Sequence, residues 1–142
     1  MTELAVVDAS IALKWVLNEV DSGAAESLIE RYRMAAPDLL VMECANAFWA
    51  RIRRRTLSPA EARAALSDLL AIDIDYQADH GLTAAALSLA ADLDHPVYDC
   101  MYLALALERG ARVITADRRF AAAVRAHPFH ADRIRLLSDL AP

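Results

Sequence analysis

Four carboxylates in this 142-residue sequence lie within or beside apolar segments. A charged group in such a place is costly unless a cation or hydrogen bonds balance it. Carboxylate oxygens are also the ligands that Mg²⁺ and Mn²⁺ prefer, so four of them in one cleft would form a divalent-metal site. The four residues are Asp8, Glu43, Asp99 and Asp117.

Asp99 lies in the first turn of a predicted helix that begins at Val97 and ends before Gly110. The helix is apolar on nearly every face, which is typical of a helix inside a domain. The positive end of the helix dipole favours an acid in the first turn, but burial would still have to be compensated. The sequence therefore predicts that Asp99 has charged or hydrogen-bonding neighbours in the folded protein.

Two of the acids follow predicted strands. Asp8 comes after the apolar run Leu4–Val7, and Asp117 comes after Arg112–Thr115; a helical pattern follows each acid. Open parallel sheets bind ligands outside the carboxyl ends of their strands, so these are positions for a site. Either acid alone could simply cap the helix that follows it, although two such arrangements in one chain are less easily both caps.

Glu43 interrupts the apolar first half of a predicted helix from Leu39 to about Arg54. Helical spacing places Asn46 on the same face, within reach of a hydrogen bond to the Glu43 carboxylate. An acid in this setting is either paired with an arginine or takes part in catalysis or metal binding. Both interpretations stay open on the sequence alone.

The rest of the chain alternates further helical and strand patterns. Ser58, Pro59 and Glu61 form a capping box at the start of a helix that runs to about Ala71. The other predicted elements are a helix from about Asp21 to Arg33, a strand or connection at Met34–Ala36, a half-exposed strand over Ile72–Tyr76, helices over Thr83–Leu93 and Arg118–Ala126, and a last strand over Ile134–Leu137. No linker, repeat or low-complexity segment divides the sequence, so we expect one α/β domain over residues 1–142.

Composition limits the class of protein. Hydrophobic residues make up 57% of the chain and charged residues 25%, which argues against disorder. No apolar run approaches the roughly 20 residues of a membrane span, and no signal-peptide pattern is recognisable. Cys44 and Cys100 lie in apolar helical patterns, so we expect reduced core residues in a cytoplasmic protein with no membrane partner. The histidines have no repeated metal-ligand spacing, and we expect surface or structural roles for all four: His80, His95, His127 and His130.

The charge distribution leaves room for a partner rich in phosphate. The net charge of −5 counts against nucleic-acid binding in general. However, arginines form a dense run at the predicted tip between two helices and a second run beside Asp117. Both runs could bind phosphate groups or a protein partner. A helix end whose cations complement the dipole is the other interpretation of the first run. The two runs comprise Arg51, Arg53, Arg54 and Arg55, and Arg118 and Arg119.

Four short segments, each weak as a motif, are specific in their order and separation: Val6–Ser10, Glu43–Ala47, Tyr98–Ala104 and Thr115–Phe120. Together they resemble the PIN-domain family, and within it the VapC ribonuclease toxins of bacterial toxin–antitoxin modules. The resemblance implies a central parallel sheet flanked by helices on both faces, and a homodimer. It also implies Mg²⁺- or Mn²⁺-dependent endoribonuclease activity on RNA, inhibited by a small cognate antitoxin. The site residues it implies are Asp8, Glu43, Asp99 and Asp117, supported by Ser10, Asn46 and Thr115.

Three other classes of protein share parts of this pattern. A receiver domain has strand-end aspartates but needs a late-strand lysine, and the single lysine is Lys14. A haloacid-dehalogenase-type phosphatase needs a second acid two residues after Asp8, where Ser10 lies. A catalytically silent PIN-like module that binds RNA is the alternative to the enzyme, and the metal dependence of RNA cleavage separates the two.

Overall fold

A five-stranded parallel sheet forms the centre of the protein. The computed structural model describes residues 2–141, and the strand order in its sheet is β3-β2-β1-β4-β5. The strands are β1 (Glu3–Val7), β2 (Tyr32–Pro37), β3 (Asp75–Gln77), β4 (Arg112–Thr115) and β5 (Ile134–Leu136). All four neighbouring pairs are parallel, which confirms the predicted sheet and makes the segment at 34–36 part of a strand.

Seven α-helices connect and cover the strands, and their bounds follow the predicted helices closely. They are α1 (Ala9–Val16), α2 (Ser22–Arg31), α3 (Leu39–Arg53), α4 (Pro59–Ala71), α5 (Thr83–Leu93), α6 (Val97–Arg109) and α7 (Arg118–Arg125). Short 3₁₀ turns at Asp79–Leu82, Ala131–Arg133 and Leu137–Asp139 complete the described elements.

Helices lie on both faces of the sheet, as the resemblance implied. Along β1, Val6 belongs to a larger hydrophobic core, whereas Ala5 and Val7 belong to a smaller one on the opposite face. This alternation follows from the period of two in a strand. Helix α2 contributes to the smaller core and α3 to α7 contribute to the larger one. Helix α1 contributes to both, with Ile11 in the smaller core and Ala12 in the larger.

Helix α6 is the most deeply buried helix of the larger core. All seven residues from Cys100 to Ala106 are buried, and the helix packs against β1, β2 and β4. Gly110 ends it with a φ of 63°, a left-handed conformation that glycine adopts without steric cost. The predicted buried helix is confirmed, and its first turn brings Asp99 to the edge of the sheet.

The α3–α4 connection and the β3 segment test two local predictions. The Ser58–Glu61 capping box is confirmed, with the Glu61 N–H donating to Ser58 Oγ at 3.0 Å and the Ser58 N–H to Glu61 Oε1 at 2.9 Å. The strand predicted to begin at Ile72 begins instead at Asp75. The reason is that the Ile72 N–H still bonds to the Leu69 carbonyl at 3.1 Å and closes the last turn of α4.

Both cysteines are free and buried, as predicted for core residues. Burial raises the pKa of both thiols, which keeps them neutral. Across residues 2–141, no helix is both long enough and apolar enough to cross a membrane.

Candidate active site

The strand order places two of the four acids after neighbouring strands. In the register of β1 and β4, Val7 lies beside Ile114, so the residues that follow these strands emerge at the same edge. Asp8 follows β1 directly, and Asp117 lies two residues beyond Thr115 at the end of β4. The chain leaves these two strands for opposite sides of the sheet, which is where open parallel sheets form ligand-binding crevices.

Asp8 is buried, with 5% of its surface exposed, and is held by two hydroxyl groups. Ser10 Oγ donates to Asp8 Oδ1 at 2.5 Å, and Thr115 Oγ1 donates to Asp8 Oδ2 at 2.5 Å. Backbone N–H groups fix the hydroxyls in turn, since Ala116 donates to Ser10 Oγ at 2.8 Å and Asp117 to Thr115 Oγ1 at 3.0 Å. This network ties the end of β1 to the end of β4.

Asp8 also caps α1, but capping alone does not account for its environment. Its Oδ1 accepts a long bond from the Ile11 N–H at 3.4 Å. Burial raises the pKa of the Asp8 carboxyl to about 7, against the opposing effect of the hydrogen bonds from Ser10 and Thr115. The charge of Asp99 raises it further, so the two carboxylates lie within electrostatic range of each other.

Glu43 projects from α3 and is held by a tyrosine of α6. The Tyr102 hydroxyl, on a fully buried side chain, donates to Glu43 Oε1 at 2.5 Å. Burial raises the pKa of Glu43, the hydrogen bond from Tyr102 opposes this, and the charges of Asp99 and Asp79 add to the increase. Asp99 is therefore electrostatically coupled to both Asp8 and Glu43.

Asp99 meets a histidine one turn earlier in the chain. The His95 Nε2 atom lies 2.7 Å from Asp99 Oδ2, and the His95 ring stacks on Phe120 with 5.4 Å between ring centroids. Phe120 belongs to α7, whose N-terminus is capped by Asp117: its Oδ1 accepts from the N–H groups of Arg119 at 2.9 Å and Phe120 at 3.2 Å. Capping is thus confirmed for Asp117 as for Asp8.

Within the described part of the chain, no lysine or arginine forms an ion pair with any of these four acids. The structural explanation for Glu43, an arginine partner, is therefore wrong. Protein hydrogen bonds occupy one oxygen each of Glu43, Asp99 and Asp117, and the same bonds leave the second oxygen of each carboxylate available. A divalent cation that takes carboxylate oxygens and water suits this donor set.

The acids are not arranged as a ready-made cage. Among residues 2–141, no three His, Cys, Asp or Glu side chains stand as a group that would hold one ion. Hydrogen bonds to Ser10, Thr115, Tyr102 and His95 hold the carboxylates instead. Magnesium sites commonly take one or two protein carboxylates and keep several waters, so they do not require such a cage.

The remaining predicted site residues lie around this cluster. Asn46 is exposed and lines a cleft beside Glu43 with Leu39, Met42 and Tyr98. The hydrogen bond to Glu43 that was expected from Asn46 is made by Tyr102 instead, and Asn46 is exposed in the cleft.

The arginines predicted to contact RNA or a partner differ in whether their guanidinium groups already contact another side chain of the protein. Arg51 forms an ion pair with Glu19 at 2.8 Å, so its guanidinium already has a structural partner. The guanidinium of Arg53 lies over the Trp49 ring, 5.1 Å from its centroid. The other four arginines of the two runs are exposed: Arg54, Arg55, Arg118 and Arg119.

Sequence reasoning missed three residues that contact the acids or lie near them. Tyr102 carries a hydroxyl into an apolar helix, and such a group usually needs a partner, which was a usable signal. His95 precedes Asp99 by only four residues, so the two side chains can meet across the start of α6. Asp79 gave no signal, because it reaches the N-terminus of α3 from 40 residues away, where its Oδ1 accepts from the Leu39 N–H at 2.9 Å.

The fold is that of a PIN domain. The PIN domain family matches residues 5–126, and the chain therefore belongs to this family.

Individual relatives and solved structures within this family are also similar to the chain. Ribonuclease VapC3 of Pyrobaculum aerophilum is 34% identical over 121 residues, which cover 82% of this chain and 91% of that protein. The structure of VapC20 from Mycobacterium tuberculosis, described as a toxin that cleaves the sarcin–ricin loop, superposes with a TM-score of 0.64 at 19% identity, covering 84% of this chain and 94% of that one. A chain of a toxin–antitoxin complex from Klebsiella pneumoniae gives 0.58 at 17% identity, covering 83% and 90%. The two structures show the same fold.

Proposed function

We propose that this protein is a divalent-metal-dependent endoribonuclease that acts in the cytoplasm as the toxin of a toxin–antitoxin pair. The observation that carries the proposal is the cluster of buried or half-buried carboxylates at the ends of β1 and β4, with no lysine or arginine paired to them in the described residues. Carboxylates that are buried close together lose hydration and repel each other, and a bound cation would offset both costs. The ribonuclease and toxin names of its relatives supply the reaction.

Asp8, Glu43, Asp99 and Asp117 would hold Mg²⁺ or Mn²⁺ through their carboxylate oxygens. When bound, the ion supplies an acidified water molecule for attack and charge stabilisation at the phosphodiester. Ser10 and Thr115 keep Asp8 in one orientation, and Tyr102 does the same for Glu43. These hydrogen bonds fix the acids before substrate arrives, which reduces the reorganisation needed during the reaction.

RNA cleavage in Mn²⁺ tests this proposal. The purified protein should cut single-stranded RNA or an RNA loop in Mn²⁺, stop when EDTA is added in excess, and resume when Mn²⁺ is restored. The Asp99→Asn variant, purified in parallel, controls for contaminating nucleases. Undiminished cleavage in EDTA would reject metal dependence, and salt-sensitive RNA binding without any cleavage would favour the silent RNA-binding module.

The exposed arginines are proposed to contact the RNA backbone or a partner. Changing Arg53 and Arg54 together to alanine should weaken RNA binding and reduce the slope of log affinity against log salt by about 1.4, because each phosphate contact with a single strand contributes about 0.7 to the slope. Filter binding at several salt concentrations measures this slope. An Arg63→Ala change on α4 serves as a control for a single arginine outside the runs, and an unchanged slope in the double variant would leave Arg53 and Arg54 as a solvated helix end.

A small antitoxin protein is the proposed inhibitor, and the toxin is proposed to be a homodimer, as the resemblance implies. A basic side chain of the antitoxin would complement the acidic cleft and occupy it. Expression of the protein alone should arrest bacterial growth, and co-expression of the adjacent small open reading frame should restore it. Growth that no neighbouring gene restores would indicate a stand-alone nuclease.

A further inference from the structure

His95 is the one histidine in the described residues that touches an acid of the cluster. Its side chain is only 12% exposed, and its Nε2 atom lies 2.7 Å from Asp99 Oδ2. The residue precedes α6, because Pro96 occupies the N-cap position and Val97 begins the helix. Its ring is therefore held by the chain geometry at the start of the helix rather than by a regular helical turn.

The His95 ring is also fixed on its other side. It stacks on Phe120 with an interplanar angle of 15°, and Phe120 is fully buried at the start of α7. Phe120 donates its N–H to Asp117, so His95 contacts Asp99 directly and packs on a residue bonded to Asp117. A ring that is stacked on one face and hydrogen-bonded at its edge has little freedom to rotate, which makes it a rigid donor.

From these contacts we infer that His95 is a positioning residue: its Nε2–H holds Asp99 Oδ2 and leaves Oδ1 available to a divalent cation, which Asp99 would help to hold. The inference rests on the proposed function, because it assigns His95 a role in the same metal site. A carboxylate that carries a ligand-orienting hydrogen bond binds metal better than one that rotates freely, and loss of such a partner typically weakens metal affinity by roughly 10- to 100-fold.

Two substitutions separate the hydrogen bond from the stacking. His95→Gln keeps an N–H donor near the position of Nε2 but removes the aromatic ring. His95→Phe keeps a ring that stacks on Phe120 but removes the donor. His95→Ala removes both, and His80→Ala is the matched control because His80 is exposed and lies outside the cluster. Mn²⁺ binding to each protein is measured by titration calorimetry, and melting in EDTA reports the fold.

We expect His95→Phe and His95→Ala to bind Mn²⁺ about 10- to 100-fold more weakly than wild type, and His95→Gln to bind within a few-fold of it. His80→Ala should bind as wild type does, and His95→Phe should melt close to wild type in EDTA. The positioning role would be overturned if His95→Phe bound Mn²⁺ as tightly as wild type, or if His95→Gln and His95→Ala lost Mn²⁺ affinity equally. In either case, Mn²⁺ binding by the wild-type protein would still uphold the metal site. Failure of the wild-type protein to bind Mn²⁺ would overturn both.

Discussion

Replacing Asp8 by asparagine should lower the rate of RNA cleavage on the order of 10²- to 10³-fold, because the change removes a carboxylate that several kcal/mol of metal-based stabilisation would depend on. The fold should be retained. Asparagine has nearly the same shape, and the Ser10 and Thr115 hydroxyls can each accept from or donate to its amide. Initial rates on a labelled RNA in Mn²⁺ measure the effect.

Asp73→Asn is the control for this substitution, since Asp73 is an exposed acid outside the site. It should cleave RNA at the wild-type rate. If Asp8→Asn kept most of its RNA-cleaving activity, the role of Asp8 would be structural only, as a helix cap and as the acceptor of hydrogen bonds from Ser10 and Thr115. The proposal that four carboxylates hold the metal would then be wrong for Asp8.

The second large effect concerns stability in EDTA. Burial raises the pKa of Asp8 to about 7 from an ordinary value of 3.8, so between these values the native state keeps a proton that the unfolded chain has released. Raising the pH through this window therefore favours unfolding. The loss amounts to as much as roughly 4 kcal/mol for a shift of this size. The raised pKa of Glu43 acts in the same direction.

Asp8→Asn should remove most of this pH dependence, because an amide does not titrate. In EDTA the variant should be about as stable as wild type near pH 4 and more stable near pH 8. Urea unfolding at a series of pH values gives both curves. Parallel curves for the two proteins would mean that Asp8 is ionised at an ordinary pKa and that burial does not penalise its charge.

The sequence was sufficient to predict the helices and strands and the edge of the sheet at which the candidate site lies, because these signals are local. Apolar runs marked β1 and β4, the capping box marked the start of α4, and the unbroken apolar pattern marked α6. The rule that parallel sheets bind ligands at the carboxyl ends of strands then grouped Asp8 with Asp117. Adjacency of β1 and β4 in the sheet confirms this grouping.

The resemblance implied Ser10 and Thr115 as supporting residues, but which acid Thr115 or Tyr102 would contact was not predictable, because these contacts join residues far apart in the chain. Thr115 reaches Asp8 across 107 residues, and Tyr102 reaches Glu43 across 59. Such pairings depend on how α3 and α6 lie on the sheet. The hydrogen bond from Asn46 to Glu43 was expected from helical spacing alone. Spacing predicts which residues share a face of one helix, but not which residue of another helix will contact them.

The contact between His95 and Asp99 was not predicted for a different reason. The distance of His95 from Asp99 in the sequence was visible, but the absence of repeated metal-ligand spacing indicates only that a histidine is not itself a ligand, and says nothing about whether it bonds to a carboxylate. The first shell of a metal site and its hydrogen-bonding partners follow different spacing rules, since partners need only reach a ligand.

The central claim, that these acids bind a divalent metal, is tested most directly by thermal melts of wild type and Asp99→Asn with EDTA and with Mn²⁺. Asp99 raises the pKa of both Asp8 and Glu43 through its charge, so removing that charge relieves repulsion. The variant should melt at or above the wild-type temperature in EDTA. Wild type should gain on the order of 2.7 kcal/mol at a hundredfold excess of Mn²⁺ over its dissociation constant, and the variant much less. Equal stabilisation of both proteins by Mn²⁺ would contradict the account and leave Asp99 as a first-turn acid that complements a helix dipole.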